Sequence, residues 1–156
     1  MKRCTECERA HPVETTEPDT LTVGGRTFTT DVPALRCEAC GKTYLDGPSL
    51  EAFELAVARE LATVGPATGE TFRFMRKSIG MRAADLAELL DVTPETISRW
   101  ETGKLDVARA AWSTLADVVV ERAEGRTRML DRLRAIQEPK KLAKAVRIKL
   151  PRSVAR

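Results

Sequence analysis

Leu21, Val23 and Phe28 are set among threonines between Thr20 and Thr30, and Gly24-Gly25 interrupts them. Threonine, valine and phenylalanine favour strands, and two glycines supply the positive φ that a type I′ hairpin turn needs. The segment therefore predicts a β-hairpin. From Pro48 the pattern becomes helical: Phe53, Val57, Leu61 and Val64 recur on one face, with Ser49 available as the cap. The run Gly65-Pro66-Ala67-Thr68-Gly69 breaks that helix and reads as a linker that lets the flanking parts reorient. Residues 70–123 then read as short helices. Phe72, Met75 and Ile79 mark the first, and Leu86, Ala87, Leu89 and Leu90 the second. The third runs from Thr93 to Thr102, with Thr93 as N-cap, Pro94 in the first helical position and Gly103 just past the end. Ala108 to Val120 forms the fourth, with Trp112, Leu115, Ala116 and Val119 inward. A last helix, about Arg126 to Gln137, carries Met129, Leu130, Leu133 and Ile136 and stops at Pro139.

The 156 residues allow one ordinary domain or two small ones. Apolar residues make up 42% but aromatics only 4%, so the core is mostly aliphatic. No apolar run is long enough for a membrane span, and the expected location is the cytoplasm, on the nucleoid when bound to DNA. The net charge of +3 hides an uneven distribution. Residues 1–63 hold 7 basic and 11 acidic side chains, residues 64–138 hold 12 of each, and residues 139–156 hold 7 basic and none acidic. An acidic front and a basic end suggest two kinds of partner, one of them a polyanion.

The four cysteines fall into two pairs, Cys4-Thr5-Glu6-Cys7 and Cys37-Glu38-Ala39-Cys40, with 29 residues between them. A Cys-x-x-Cys turn aims two thiolates at one spot, and two such turns complete a tetrahedron around Zn²⁺. Lys2, Arg3 and Lys42 favour thiolate, and Gly41 suits a tight knuckle. Disulfides would need an oxidising compartment, and no apolar signal-like run follows Lys2 and Arg3. His11 is a spare candidate that four thiols make unnecessary. Four protein ligands leave no open position, so the zinc is structural. It would staple a domain of about 50 residues that has little core of its own. An enzyme would need an open metal position or a histidine-based acid–base pair, so none is expected. The expected fold is α+β. A zinc-stapled β-hairpin domain with a helix covers 1–64, and a linker covers 65–70. An all-α domain of about five helices covers 71–138, and a basic tail covers 139–156.

Residues 85–104 carry the second constellation. Small Ala87 lets two short helices approach, Val92 plugs the turn between them, and Ile97 and Trp100 bury one face of the second helix. Glu95, Thr96, Arg99 and Thr102 stay on the other face. That is a helix-turn-helix, whose second helix enters the major groove of double-stranded DNA. Its turn holds Asp91 where glycine is common, and Asp tolerates the left-handed conformation. Arg99 is the candidate for reading guanine O6 and N7. Thr93, Thr96 and Ser98 can reach phosphates or base edges. Glu95 either accepts from a cytosine amino group or orients Arg99, with the second preferred. Arg73, Arg76, Lys77, Arg82 and Lys104 are phosphate-contact candidates, each also readable as a solvated charge. The tail cations, Lys140, Lys141, Lys144, Arg147, Lys149, Arg152 and Arg156, read either as a DNA-tracking arm or as a solvated end. Val146 to Leu150 alternates apolar and basic residues, as a strand added to a partner would.

The two Cys-x-x-Cys pairs, the Gly24-Gly25-Arg26 hairpin and the following helix resemble the YgiT-type zinc finger. The second half resembles the XRE-type helix-turn-helix. Fused in this order over about residues 1–123, they resemble the MqsA-type antitoxins. The resemblance implies Cys4, Cys7, Cys37 and Cys40 as ligands to a structural zinc, and Arg99 as a DNA reader. It also implies a homodimer formed through the helix-turn-helix domain that represses its own operon from a palindromic operator. A ribonuclease toxin would bind the zinc domain. Glu95 stands where that family has a reading asparagine, and the basic tail is outside its pattern. A stand-alone regulator whose zinc domain binds something other than a toxin is the alternative.

Overall fold

In the computed structural model, which describes residues 3–139, 141 and 144–149, the chain is α+β. Strands β1 (Val13–Val23) and β2 (Arg26–Arg36) pair antiparallel from Val13↔Arg36 to Val23↔Arg26. Gly24 and Gly25, at φ 61° and 72°, make the two-residue turn. Strand β3 (Thr43–Leu45) adds to β2, giving the order β1-β2-β3. The hairpin extends well past the predicted segment, and β3 was not anticipated.

Helix α1 (Gly47–Val64) follows. Its cap is Asp46, not the expected Ser49: the Asp46 carboxylate accepts the Ser49 N–H at 2.9 Å. Pro48 sits in the first turn, where no intrahelical N–H is needed. Helices α2 (Gly69–Ser78), α3 (Ala83–Leu89), α4 (Pro94–Glu101), α5 (Arg109–Ala123) and α6 (Arg128–Gln137) complete the fold.

Two stripes of α1, about 100° apart around its axis, face two different cores. Val57 and Leu61 pack with Val23, Leu21, Phe28 and Phe53 under the sheet. Ala58, fully buried, packs with Phe72, Met75, Leu115 and Val119 in the helical bundle, and Ala62 lies against the same cluster. Phe74 of α2 touches both clusters. Val64, expected inward, is exposed at the helix end.

The junction after α1 is packed, contrary to the expectation of a linker that lets the halves reorient. Thr68 caps α2 through a reciprocal pair of hydrogen bonds with Thr71. Thr71 is fully buried, and its hydroxyl donates to the Pro66 carbonyl at 2.6 Å. Gly24 of the hairpin turn lies against the Thr71 methyl and the Pro66 ring, so a Cβ there would come within 2.6 Å of Thr71 Cγ2. Gly69 sits so close to α4 that a Cβ would overlap the Trp100 carbonyl oxygen. Hairpin turn, junction and α4 are thus stacked in contact.

Helix α6 lies at the surface of the bundle, against α3 and α5. None of its residues is fully buried, and Ile136 is 69% exposed. Past Pro139, Lys141 and residues 144–149 are exposed and have no regular structure. Lys140, Leu150, Arg152 and Arg156, and also Lys2, lie outside the described residues.

The shared helix generates a test. Leu61 belongs to the sheet-side core, whereas Trp100 and Trp112 lie in the bundle. Leu61→Ala is expected to cost about 2–5 kcal/mol. Urea unfolding followed by tryptophan fluorescence should register this loss in full. An unmoved tryptophan transition would mean that the two cores unfold independently.

Candidate functional site

The first centre lies at the open end of the hairpin. Its two 11-residue strands account for most of the spacing between the cysteine pairs and carry Cys37 back to Cys4. The two knuckles share one construction. The Glu8 N–H donates to the Cys4 carbonyl at 3.0 Å, and the Gly41 N–H donates to the Cys37 carbonyl at 2.7 Å. Both donors have positive φ, 55° at Glu8 and 75° at Gly41. Glycine takes this conformation without penalty, whereas Glu8 is held there by the knuckle.

All four sulfurs lie within 4.8 Å of one another. The pairs interlock: Cys4 Sγ is 3.6 Å from Cys40 Sγ, and Cys7 Sγ is 3.6 Å from Cys37 Sγ. A tetrahedral ion with bonds of about 2.3 Å needs sulfurs roughly 3.8 Å apart, so the donor set fits a structural metal. Cys4 and Cys37 are buried and Cys40 is exposed. His11 is not part of the cluster.

The thiols are electrostatically unlike. A hydrogen bond from the Tyr44 hydroxyl at 3.2 Å, with help from backbone amides, lowers the Cys4 thiol to about 6. Cys40 is pulled down by the Lys42 amide, but desolvation and the three neighbouring thiols outweigh it and push it up to about 12. Four sulfurs this close cannot all ionise unless a cation joins them. Lys42 is 3.6 Å from Glu6, a pair that bridges the two knuckles on the surface.

Tyr44 is the functional residue that sequence reasoning missed. Its hydroxyl accepts the Thr5 N–H at 3.1 Å and lies 2.9 Å from Thr5 Oγ1 as well as against Cys4. It thereby ties β3 to the first knuckle, as outer partners of metal ligands do. No local signal marks it, since the contact spans 40 residues.

The second centre is α3, the turn Leu90–Thr93 and α4. Asp91 takes φ 53°, as the turn requires, and the Val92 N–H donates to the Ala87 carbonyl at 3.0 Å. Thr93 caps α4 by accepting the Thr96 N–H at 3.2 Å. Its hydroxyl also lies 3.1 Å from that of Thr96, so these two candidates serve first as the cap. Ile97 and Trp100 are buried, and the Trp100 ring meets Phe72 edge-on at 5.9 Å. Glu95, Ser98 and Arg99 point outward and are exposed, and Thr96 is half-buried. Neither Glu95 nor Arg99 forms an ion pair among the described residues, so the orienting role preferred for Glu95 has no counterpart in this geometry. The Arg99 carbonyl accepts the Lys104 N–H at 2.9 Å, which folds the following loop, with its exposed Lys104, back beside α4.

The phosphate-contact candidates divide. Lys77 and Lys104 are exposed. Arg82 is exposed but forms a two-toothed pair with Asp85, at 2.9 and 2.7 Å. Arg73 lies 4.0 Å from Glu101. Arg76 is a correction: it is buried, donates to both Glu101 oxygens at 2.5 and 3.0 Å, and donates to the Met81 carbonyl at 2.6 Å. It therefore binds α2 to α4 and cannot reach a duplex.

Residues 67–120 match the family described as a helix-turn-helix domain, a span that runs from the junction through most of α5. No curated protein matches the chain. The chain thus carries a helix-turn-helix domain, a DNA-binding module, behind a four-cysteine cluster of metal-binding geometry.

Two outcomes are expected. Tyr44→Phe should keep the metal but weaken its binding about 10–100-fold, measured by competition with a chromophoric chelator. Arg76→Met should leave Glu101 buried without its partner and destabilise the fold by about 3–5 kcal/mol in urea. A variant that is stable but binds DNA weakly would return Arg76 to the phosphate contacts.

Proposed function

We propose that the chain is a sequence-specific DNA-binding transcriptional repressor, and that Arg99 and its neighbours on α4 read the operator. The observation that carries this reading is the division of α4. One face is sealed into the core by Ile97 and Trp100, and the other presents Glu95, Ser98 and Arg99 to solvent beside Lys104. A recognition helix needs that combination of a fixed inner face and an uncommitted outer one. The metal is zinc, held by Cys4, Cys7, Cys37 and Cys40. It does no chemistry, and the protein is not an enzyme.

The finer reading is that of an antitoxin in a type II toxin–antitoxin module. It acts as a homodimer on a palindromic operator with half-sites about one helical turn, ~34 Å, apart or a multiple of it. The zinc domain holds the toxin, a ribonuclease. The support for this part is the order of the two modules and its resemblance to MqsA-type antitoxins. Copurification from the native host tests it: a small ribonuclease should accompany the tagged protein, and a chain recovered with DNA but no protein partner would leave a stand-alone regulator.

Arg99→Ala should weaken operator binding by roughly 1–3 kcal/mol and relax preference at one base pair. A titration in which this variant bound its promoter as tightly as the parent, with unchanged preference, would remove Arg99 from the reading face.

A further inference from the structure

Five of the eight residues of α4 are committed to the fold. Pro94 opens the helix, and the Thr96 hydroxyl lies 3.1 Å from that of Thr93 in the cap. Ile97 and Trp100 are buried in the core, and Glu101 holds Arg76 through both carboxylate oxygens. Just past the end of the helix, Thr102 donates back to the Ser98 carbonyl at 2.7 Å. Glu95, Ser98 and Arg99 remain. All three are exposed, and none of their side chains forms a hydrogen bond or an ion pair among the described residues.

Glu95 stands second in the helix, directly after Pro94, in the turn that leads into the major groove. An ionised carboxylate only accepts hydrogen bonds. Phosphates repel it, and so do the acceptor edges of guanine and thymine. Only cytosine N4 and adenine N6 offer it a donor in that groove, and adenine sets its N7 acceptor beside N6. Cytosine is therefore the base whose major-groove edge suits a carboxylate. An acid in a first turn also complements the helix dipole. That effect changes stability and carries no base preference, so the two roles are separable by experiment.

We infer that Glu95 is a second base-reading residue of α4, which accepts a hydrogen bond from a cytosine amino group and excludes the other three bases at that position. This role rests on the DNA-binding reading above and deepens it. Glu95 and Arg99 are four residues apart, about 6 Å along the helix axis. Their targets therefore lie within about two base-pair steps of each other. The centre of the recognised site carries two G·C pairs, one read from its cytosine by Glu95 and the other from its guanine by Arg99.

The test uses the full-length, metal-loaded protein in four forms: the parent, Glu95→Ala, Glu95→Gln and Arg99→Ala. Each is carried through selection from a duplex library of random sequence, and the selected site and its single-pair variants are then titrated. Glu95→Gln keeps the size of the side chain and removes its charge, and circular dichroism checks that every form is folded. The parent should discriminate against each replacement of the cytosine roughly 5- to 150-fold. Glu95→Ala should lose that discrimination and keep the guanine read by Arg99. Glu95→Gln should move the preference at the same position from cytosine to adenine, because an amide matches adenine N6 and N7 with two hydrogen bonds. Glu95 variants that still select the parental cytosine would overturn the assignment and leave the carboxylate a solvated first-turn acid. Loss of the guanine preference in Arg99→Ala would, in that case, keep α4 as the reading helix. A Glu95→Ala variant that lost the guanine and kept the cytosine would also overturn it, and would return Glu95 to orienting Arg99. A parent that selects no sequence would overturn both readings.

Discussion

Helix α1 serves as a wall for two cores. Its larger residues, Val57 and Leu61, close the sheet, and its small residues, Ala58 and Ala62, admit the helical bundle close to its backbone. A hairpin with one short extra strand cannot bury enough apolar surface to stand alone. Here it is stapled at one end by the cysteine cluster and backed along its face by α1 and Phe74. The cysteine cluster fixes where the hairpin begins and ends, and α1 fixes where it lies against the helix-turn-helix bundle.

The contacts across the junction give that arrangement its direction. Gly24 meets Thr71 and Pro66, Thr71 caps α2, Gly69 abuts the Trp100 carbonyl, and Trp100 is the inner anchor of α4. Arg76 and Glu101 add a buried ion pair between α2 and α4, and the third guanidinium nitrogen, Nη1, donates to the Met81 carbonyl. A pair of this kind fixes geometry more than it adds stability, because desolvation offsets its Coulomb attraction. The outer face of α4 is therefore presented on a rigid support, which is what direct readout of bases requires.

The features legible in the sequence were those set by near neighbours. Gly24-Gly25, Thr93-Pro94, Asp91 and the two Cys-x-x-Cys turns each state their geometry within four residues, and each is found in that geometry. The features that were not legible depend on distant partners or on weak signals. Arg76 looks like any surface cation until Glu101, 25 residues on, is beside it. Tyr44 gains its meaning from Cys4 and Thr5, about 40 residues earlier in the chain. The second face of α1 is made of alanines, which add little to a hydrophobic pattern, so periodicity revealed only the stripe through Phe53, Val57 and Leu61. The Gly65–Gly69 run shows why composition misleads at junctions. Residues that break a helix can also pack tightly, as Pro66, Thr68 and Gly69 do here.

The central claim is that the sheet that carries the cysteine cluster and the helix-turn-helix belong to one cooperative unit joined through α1. Amide hydrogen exchange, recorded with the metal bound and after its removal by a strong chelator, tests it most directly. The account predicts that stripping the metal lowers protection in β1 and β2 and, with them, in α2 and α4. Loss of protection that stopped at Val64, with α2 and α4 unchanged, would contradict it.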